Sequence, residues 1–191
     1  MKVIFLDHDG VICLSTEWGG RYKKQKEWGG RKLSMSNNAI PLEHRFDNFN
    51  QKAVKTLNKI LEETGAEIVV SSDWKHHATL EEMGEYYEQQ GIIKKPIALT
   101  TNLGQCNWYN DKVWIWSPRW DLEMSRVIEI KQFLHDHPEV THWVAIDDLD
   151  MGKNGEDWKD WGLDNFVLTP LGNEGIKQVG IKDKILKFLN D

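Results

Sequence analysis

The apolar positions of the chain fall into short runs that break off at polar residues. Residues 3–6, 68–70 and 143–146 are continuously apolar, and each run is followed at once by a carboxylate or hydroxyl side chain: Asp7, Ser71 and Asp147. Runs this short and without alternation predict strands buried on both faces, as in a parallel sheet. Between them the period lengthens. Val54, Leu57 and Leu61 recur on one face of a helix predicted over 53–63, with Gly65 as its stop. Further helices are predicted over 79–90, over 122–135 with Pro138 just beyond, and over 181–189, and a further strand over 166–168 before Pro170. Strands alternating with helices predict an α/β fold built in layers. In such sheets a ligand lies outside the carboxyl ends of the strands, where these polar residues meet.

Two stretches break the alternation. Residues 14–48 are rich in Gly, Lys, Arg, Asn and Trp, and residues 100–121 carry Trp108, Trp114, Trp116 and Trp120 without a clear period. Both are long for connections and short for domains, so residues 1–191 read as one domain with two insertions.

Composition narrows the classes. The 191 residues are 40% hydrophobic and 28% charged, enough for one sizeable core. No apolar run reaches about 18 residues and the N-terminus opens on a strand-like segment, so a soluble cytoplasmic protein with no membrane partner is expected. Cys13 and Cys106 match no metal-ligand spacing and predict neither a disulfide framework nor a zinc site. A net charge of -6 argues against a surface that is basic throughout, while leaving room for a local basic patch. Ten tryptophans are an unusual load for this length: indole buries well, so some are expected in the core, and aromatic platforms for a ring-bearing ligand stand beside that reading.

The strongest chemical signal is the strand end carrying Asp7 and Asp9 one residue apart, with Gly10 permitting a sharp exit. Two carboxylates there repel unless a cation offsets them, and Mg²⁺ prefers hard oxygens. A carboxylate is also a competent nucleophile on phosphorus once the phosphate charge is screened, which suits Asp7. Asp9 is then placed to protonate the leaving oxygen and activate water. Asp147 and Asp148 repeat the pattern at another strand end: Asp147 completes the metal site and Asp148 joins it or holds its waters, while Asp150 reads as a solvated loop acid. Ser71, or else Ser72, offers a hydroxyl and amides to a phosphate oxygen. For the cation that screens the phosphoryl group, Arg126 near a helix start is the leading candidate and Lys131 the rival. Plainer readings stand beside these: an Asp-Gly surface turn after an edge strand, and helix capping by Ser72 or Asp73.

In this order the four pieces resemble the haloacid dehalogenase (HAD) superfamily, whose pattern runs strand-DxDG(V/T), strand-Ser/Thr, Lys/Arg, strand-DD. Here it reads FLDHDGV from Phe5, VVSSD from Val69, Arg126, and AIDD from Ala145, spanning residues 2–150. More narrowly, VVSSDWK, the run from Arg126 to Ile130 and AIDDLD look like the capless members associated with RNA-repair proteins. The resemblance implies a three-layer, Rossmann-like parallel sheet with helices on both faces, an enlarged flap at 14–48 and no large cap. It also implies Asp7 as nucleophile, Asp9 as acid and base, Ser71 and Arg126 on phosphate, and Mg²⁺ held by Asp7, the Asp9 backbone carbonyl and Asp147. His8, between the two aspartates, receives no role. A site without a large cap is open and favours a bulky substrate.

Within the flap, Glu17-Trp18-Gly19-Gly20-Arg21 returns ten residues later as Glu27-Trp28-Gly29-Gly30-Arg31, with Tyr22, Lys23, Lys24 and Lys26 between. Cations interleaved with aromatics track phosphates while stacking bases, so Trp18, Arg21, Tyr22, Trp28 and Arg31 are candidate contacts to a nucleotide or nucleic-acid end. The plainer alternative is a hairpin whose tryptophans pack on the body. The expected function is a Mg²⁺-dependent phosphatase acting on a phosphomonoester through an aspartyl phosphate. A non-catalytic nucleic-acid-binding module on the same fold is the alternative. A phosphoacceptor signalling domain ranks lower, because its acceptor follows the acidic pair instead of opening it.

Overall fold

The computed structural model describes residues 1–28, 40–102, 122–152 and 162–191, so Arg31, Cys106 and the tryptophans at 108, 114, 116 and 120 lie outside the described residues. In chain order the elements are β1 (Lys2–Leu6), α1 (Gly20–Glu27), α2 (Leu42–Arg45), α3 (Gln51–Thr64), β2 (Glu67–Val70), α4 (Leu80–Gln89), β3 (Ala98–Leu99), α5 (Leu122–Asp136), β4 (His142–Asp147), β5 (Phe166–Leu168) and α6 (Ile181–Asn190). The four predicted strands form within a residue of their expected bounds and the four predicted helices within two. The strand that the pattern did not predict is β3, whose two residues are too few to carry a period.

All pairings are parallel and the strand order is β3-β2-β1-β4-β5. The two faces of the sheet explain the unbroken apolar runs. Ile4, Leu6, Ile68, Val70, Val144 and Ile146 pack with Val54, Leu57 and Leu61 of α3, Tyr86 of α4 and Ile185 of α6. The residues between them, Val3, Phe5, Val69 and Ala145, pack on the other side with Val127, Ile130 and Phe133 of α5. Successive strand side chains point to opposite faces, so both faces are apolar when helices cover both. The result is the expected three-layer α/β architecture, with no cap domain among the described residues. Among them, too, no helix is long and apolar enough to cross a membrane.

Local signals set the helix ends. The Asn50 side chain accepts from the amides of Lys52 and Ala53 at 3.1 and 3.2 Å to open α3. Gly65 closes it with a left-handed φ of 69°. Thr79 and Glu82 form a reciprocal capping box on α4. The same Glu82 also pairs with the buried Arg45 of α2 at 2.8 Å, tying part of the flap to the body.

For function, the consequence of this topology is the central place of β1. Leu6 pairs with Val70 on one side and Ile146 on the other. The residues that follow these three are therefore neighbours at the carboxyl edge of the sheet, at the point where chain order reverses.

Candidate active site

Backbone pairing fixes the floor of the site. The Asp7 amide donates to the Ile146 carbonyl at 3.1 Å and the Ser71 amide to the Leu6 carbonyl at 2.9 Å, so the sheet ladder runs one residue past the strands. Beyond Asp7 the chain coils tightly: the His8 carbonyl accepts from the amides of Val11, Ile12 and Cys13, and the Gly10 amide donates back to the Cys13 carbonyl at 2.9 Å. This coil separates the two aspartates. The Asp7 carboxylate stays in the floor, while Asp9 turns its carboxylate toward Trp74, whose Nε1–H donates to Asp9 Oδ2 at 2.9 Å.

Asp7, Asp147 and Asp148 each offer an oxygen within 4.8 Å of the others. Asp7 and Asp147 are buried at 4% and 1% exposure. Burial pushes the Asp7 carboxyl up to about 6 against the opposing pull of Arg126. Burial and the charge of Asp7 together hold Asp147 well above the usual carboxylate range. Asp148 is also raised, by burial and by the charge of Asp9. Arg126 brings one positive charge to these three acids, so a compensating charge is missing. Three convergent hard oxygens with a charge deficit suit a hard divalent cation. The Asp9 carboxylate, occupied by Trp74, is not part of this cluster.

Arg126 joins the pieces. From the fifth position of α5 its Nη1 donates to Asp7 Oδ1 at 2.9 Å, to Asp147 Oδ2 at 2.9 Å and to the Ser71 carbonyl at 2.6 Å. Its Nη2 donates to Asp73 Oδ1 at 3.1 Å. Burial alone would lower its pKa, and the charges of Asp7, Asp147 and Asp73 more than offset that, so it stays protonated. Among the described residues, the ion pairs to Asp7 and Asp147 come from Arg126 and none from Lys131, the rival cation. Five residues along a helix turn it by about 140°, off the face that carries Arg126.

The two serines divide their tasks. Ser72 caps the 3-10 turn Asp73–His76, its Oγ accepting from the Trp74 amide at 3.5 Å. Ser71 is 1% exposed and its Oγ has no partner. A buried hydroxyl without a partner costs about 1–3 kcal/mol, and an incoming oxyanion would satisfy it. Asp150 is exposed and its Oδ1 accepts from the Gly152 amide at 3.3 Å.

His8 points away from the site into the core, where its Nε2 meets the Tyr87 hydroxyl at 2.7 Å. Burial, with the charge of Arg126, lowers its pKa to about 3, so the ring is neutral. The flap residues are half in and half out. Trp18 is 50% exposed, yet its Nε1–H donates to the Cys13 carbonyl at 3.2 Å. Tyr22 is exposed and lies under the Arg21 guanidinium, 5.2 Å from it. Trp28 stacks on His44. Asp47 anchors the start of α1, accepting from the amides of Gly19 at 3.2 Å and Arg21 at 2.5 Å.

Sequence reasoning missed Trp74, Asp73 and the buried pair Lys75–Glu129, in which Lys75 also donates to Thr100 Oγ1 at 2.9 Å. The signal available was the alternation of charge in Asp73-Trp74-Lys75 directly after a strand end, matched on α5 by Arg126 and Glu129 three residues apart. No curated protein and no solved structure matches the chain. A family profile described as the HAD domain in Swiss Army Knife RNA repair proteins matches residues 3–179, which takes in the described elements from β1 to β5 and the 3-10 turn Gly175–Lys177. With motif order, sheet topology and profile in agreement, the chain belongs to this HAD domain family.

Proposed function

We propose that the protein is a Mg²⁺-dependent phosphatase that removes a terminal phosphate from RNA, with Asp7 as its nucleophile. One observation carries the reading: Arg126 Nη1 lies 2.9 Å from oxygens of both Asp7 and Asp147, and donates to the backbone of Ser71, whose hydroxyl has no partner. A phosphoryl group set against Asp7 would lie beside a guanidinium and a buried hydroxyl that lacks a partner. Mg²⁺ held by Asp7, Asp147 and Asp148 would supply charge neutralisation for the phosphoryl oxygens and for the two buried carboxylates.

The steps then follow from the residues. Asp7 attacks phosphorus in line with the scissile bond, which breaks with its electron pair on the leaving oxygen. Asp9, displaced from the acidic cluster by the coil at residues 8–13, gives that oxygen its proton. In the second half Asp9 takes a proton from water as the water oxygen attacks the aspartyl phosphate, which restores Asp7 and frees phosphate. Arg126 and Ser71 hold the phosphoryl oxygens throughout.

An RNA end as substrate is supported by the family description and by the exposed flap. Trp18 and Tyr22 offer ring faces beside Arg21, whose charge is close enough to Asp9 and Asp47 for both to favour its protonated form. The test compares wild type and Asp7→Asn on oligoribonucleotides bearing a 3′ or a 5′ phosphate, on mononucleotides, and with and without Mg²⁺. Release of phosphate by wild type only, dependent on Mg²⁺ and greater for oligonucleotides, is the expected outcome. Equal inactivity of both proteins, with oligonucleotide binding retained by both, would instead support the non-catalytic binding module.

A further inference from the structure

Directly behind the site an aromatic cluster ends in one polar contact. Trp74 is 3% exposed and stacks on Phe46 at 4.6 Å with 7° between the planes and on Phe49 at 5.5 Å with 20°, while His8 meets it edge-on at 4.7 Å. Its backbone is fixed too, by the Ser72 cap on its amide and by the His77 amide on its carbonyl. The polar atom of this immobile ring, Nε1–H, donates to Asp9 Oδ2. The backbone of Cys13 bridges to that of Asp9, and Cys13 is itself fully buried. An indole nitrogen only donates, so it selects a carboxylate oxygen without a proton and leaves the proton to the other oxygen.

We propose that Trp74 is a positioning residue for proton transfer by Asp9: its indole N–H pins Oδ2, keeping the carboxyl off the Asp7–Asp147–Asp148 cluster with its proton on Oδ1, facing the leaving group. The inference rests on the phosphatase reading. As Asp7 bonds to phosphorus and the P–O bond to the alcohol breaks, the proton on Asp9 Oδ1 passes to the departing oxygen. A proton from the attacking water later returns to Oδ1. A carboxyl free to rotate would instead be drawn to the cation, away from the leaving oxygen.

Leaving-group dependence isolates this role. The ratio of kcat/KM for a phosphorylated oligoribonucleotide to that for 4-nitrophenyl phosphate reports how much the bond-breaking step depends on the proton, because nitrophenolate departs without one. Trp74→Phe keeps a stacked ring and removes the donor. It is expected to lower that ratio by about tenfold or more, within the range general-acid catalysis contributes. In an Asp9→Asn background the same substitution should change the ratio no further, since Trp74 acts through Asp9. Where the smaller ring loosens the stack, 3-benzothienylalanine at position 74, with sulfur in place of the N–H, preserves the shape and repeats the measurement. Equal losses on both substrates, or an unchanged ratio, overturn the inference while leaving the phosphatase reading intact. A wild type inert toward both substrates overturns the two together.

Discussion

Asp148 sits directly over Gly10: a Cβ built on Gly10 would lie 2.3 Å from Asp148 Oδ2 and 2.6 Å from its Cγ. The Gly10 φ of +70° is one that other residues adopt at a cost of roughly 1–2 kcal/mol. Contact between these two residues brings the acids after β4 against the coil after β1. Gly10→Ala is therefore expected to do two things at once. It should lower the thermal midpoint, and it should weaken Mg²⁺ binding by displacing Asp148 from the cluster, as read by titration calorimetry. Unchanged Mg²⁺ affinity in a folded variant would remove Asp148 from the binding set.

Arg126 serves three acceptors from a single nitrogen and a fourth from its neighbour. A lysine ammonium has the charge without the planar fork. Arg126→Lys is expected to lower kcat by about a hundredfold or more, the usual scale for losing a donor to a developing oxyanion. Steady-state kinetics under saturating Mg²⁺ checks it. A variant within a few-fold of wild type would transfer the phosphate-screening role to another cation.

Lys75 and Glu129 form an ion pair with side chains only 3% and 8% exposed. Burial lowers the pKa of Lys75 even with Glu129 beside it. Removing one partner of a buried pair costs about 3–5 kcal/mol, because the other charge is left behind. Glu129→Gln should therefore cut stability strongly, and Lys75→Met combined with Glu129→Leu should recover much of the loss. Chemical denaturation of the three proteins provides the comparison, and equal stability of the single and double variants would contradict it.

The acids of the site give stability a pH dependence. The Asp7 carboxyl rises from 3.8 to about 6 in the folded protein, with burial as the main cause. Such a group stabilises the folded state fully below its unfolded value of 3.8, and that contribution is lost as pH rises through about 6. The metal-free protein should thus lose thermal stability across this window. Mg²⁺ binds the ionised form, so its stabilising shift in Tm should be larger near pH 7.5 than near pH 5, at about the same ionic strength. A shift equal at both, or undiminished in Asp7→Asn, would place the ion elsewhere.

Much of the fold was legible because its signals are local. Four apolar runs marked four strands and Gly65 marked the end of a helix, since burial and capping act within a few residues, while the caps at Asn50 and Thr79 became visible only in the structure. The two-residue β3 gave no such signal. The flap left two readings open, and its described part forms the helix α1 where the plainer reading expected a hairpin. Trp18 and Trp28 have partners on the protein yet stay half exposed, and Tyr22 is mostly exposed.

What the sequence determined by itself was the kind of edge each strand presents: carboxylates after β1 and β4, hydroxyls after β2. The order β3-β2-β1-β4-β5 then decided which of those edges meet. Only in three dimensions does Arg126 reach Asp7 across 119 residues of chain while Lys131 does not, and only there is Ser71 left without a partner while Ser72 caps a turn. The reason is one of range. Hydrophobic period and capping are fixed by residues a turn or a strand apart, whereas the direction of a buried charge depends on which opposite charges the sheet order brings within hydrogen-bonding distance.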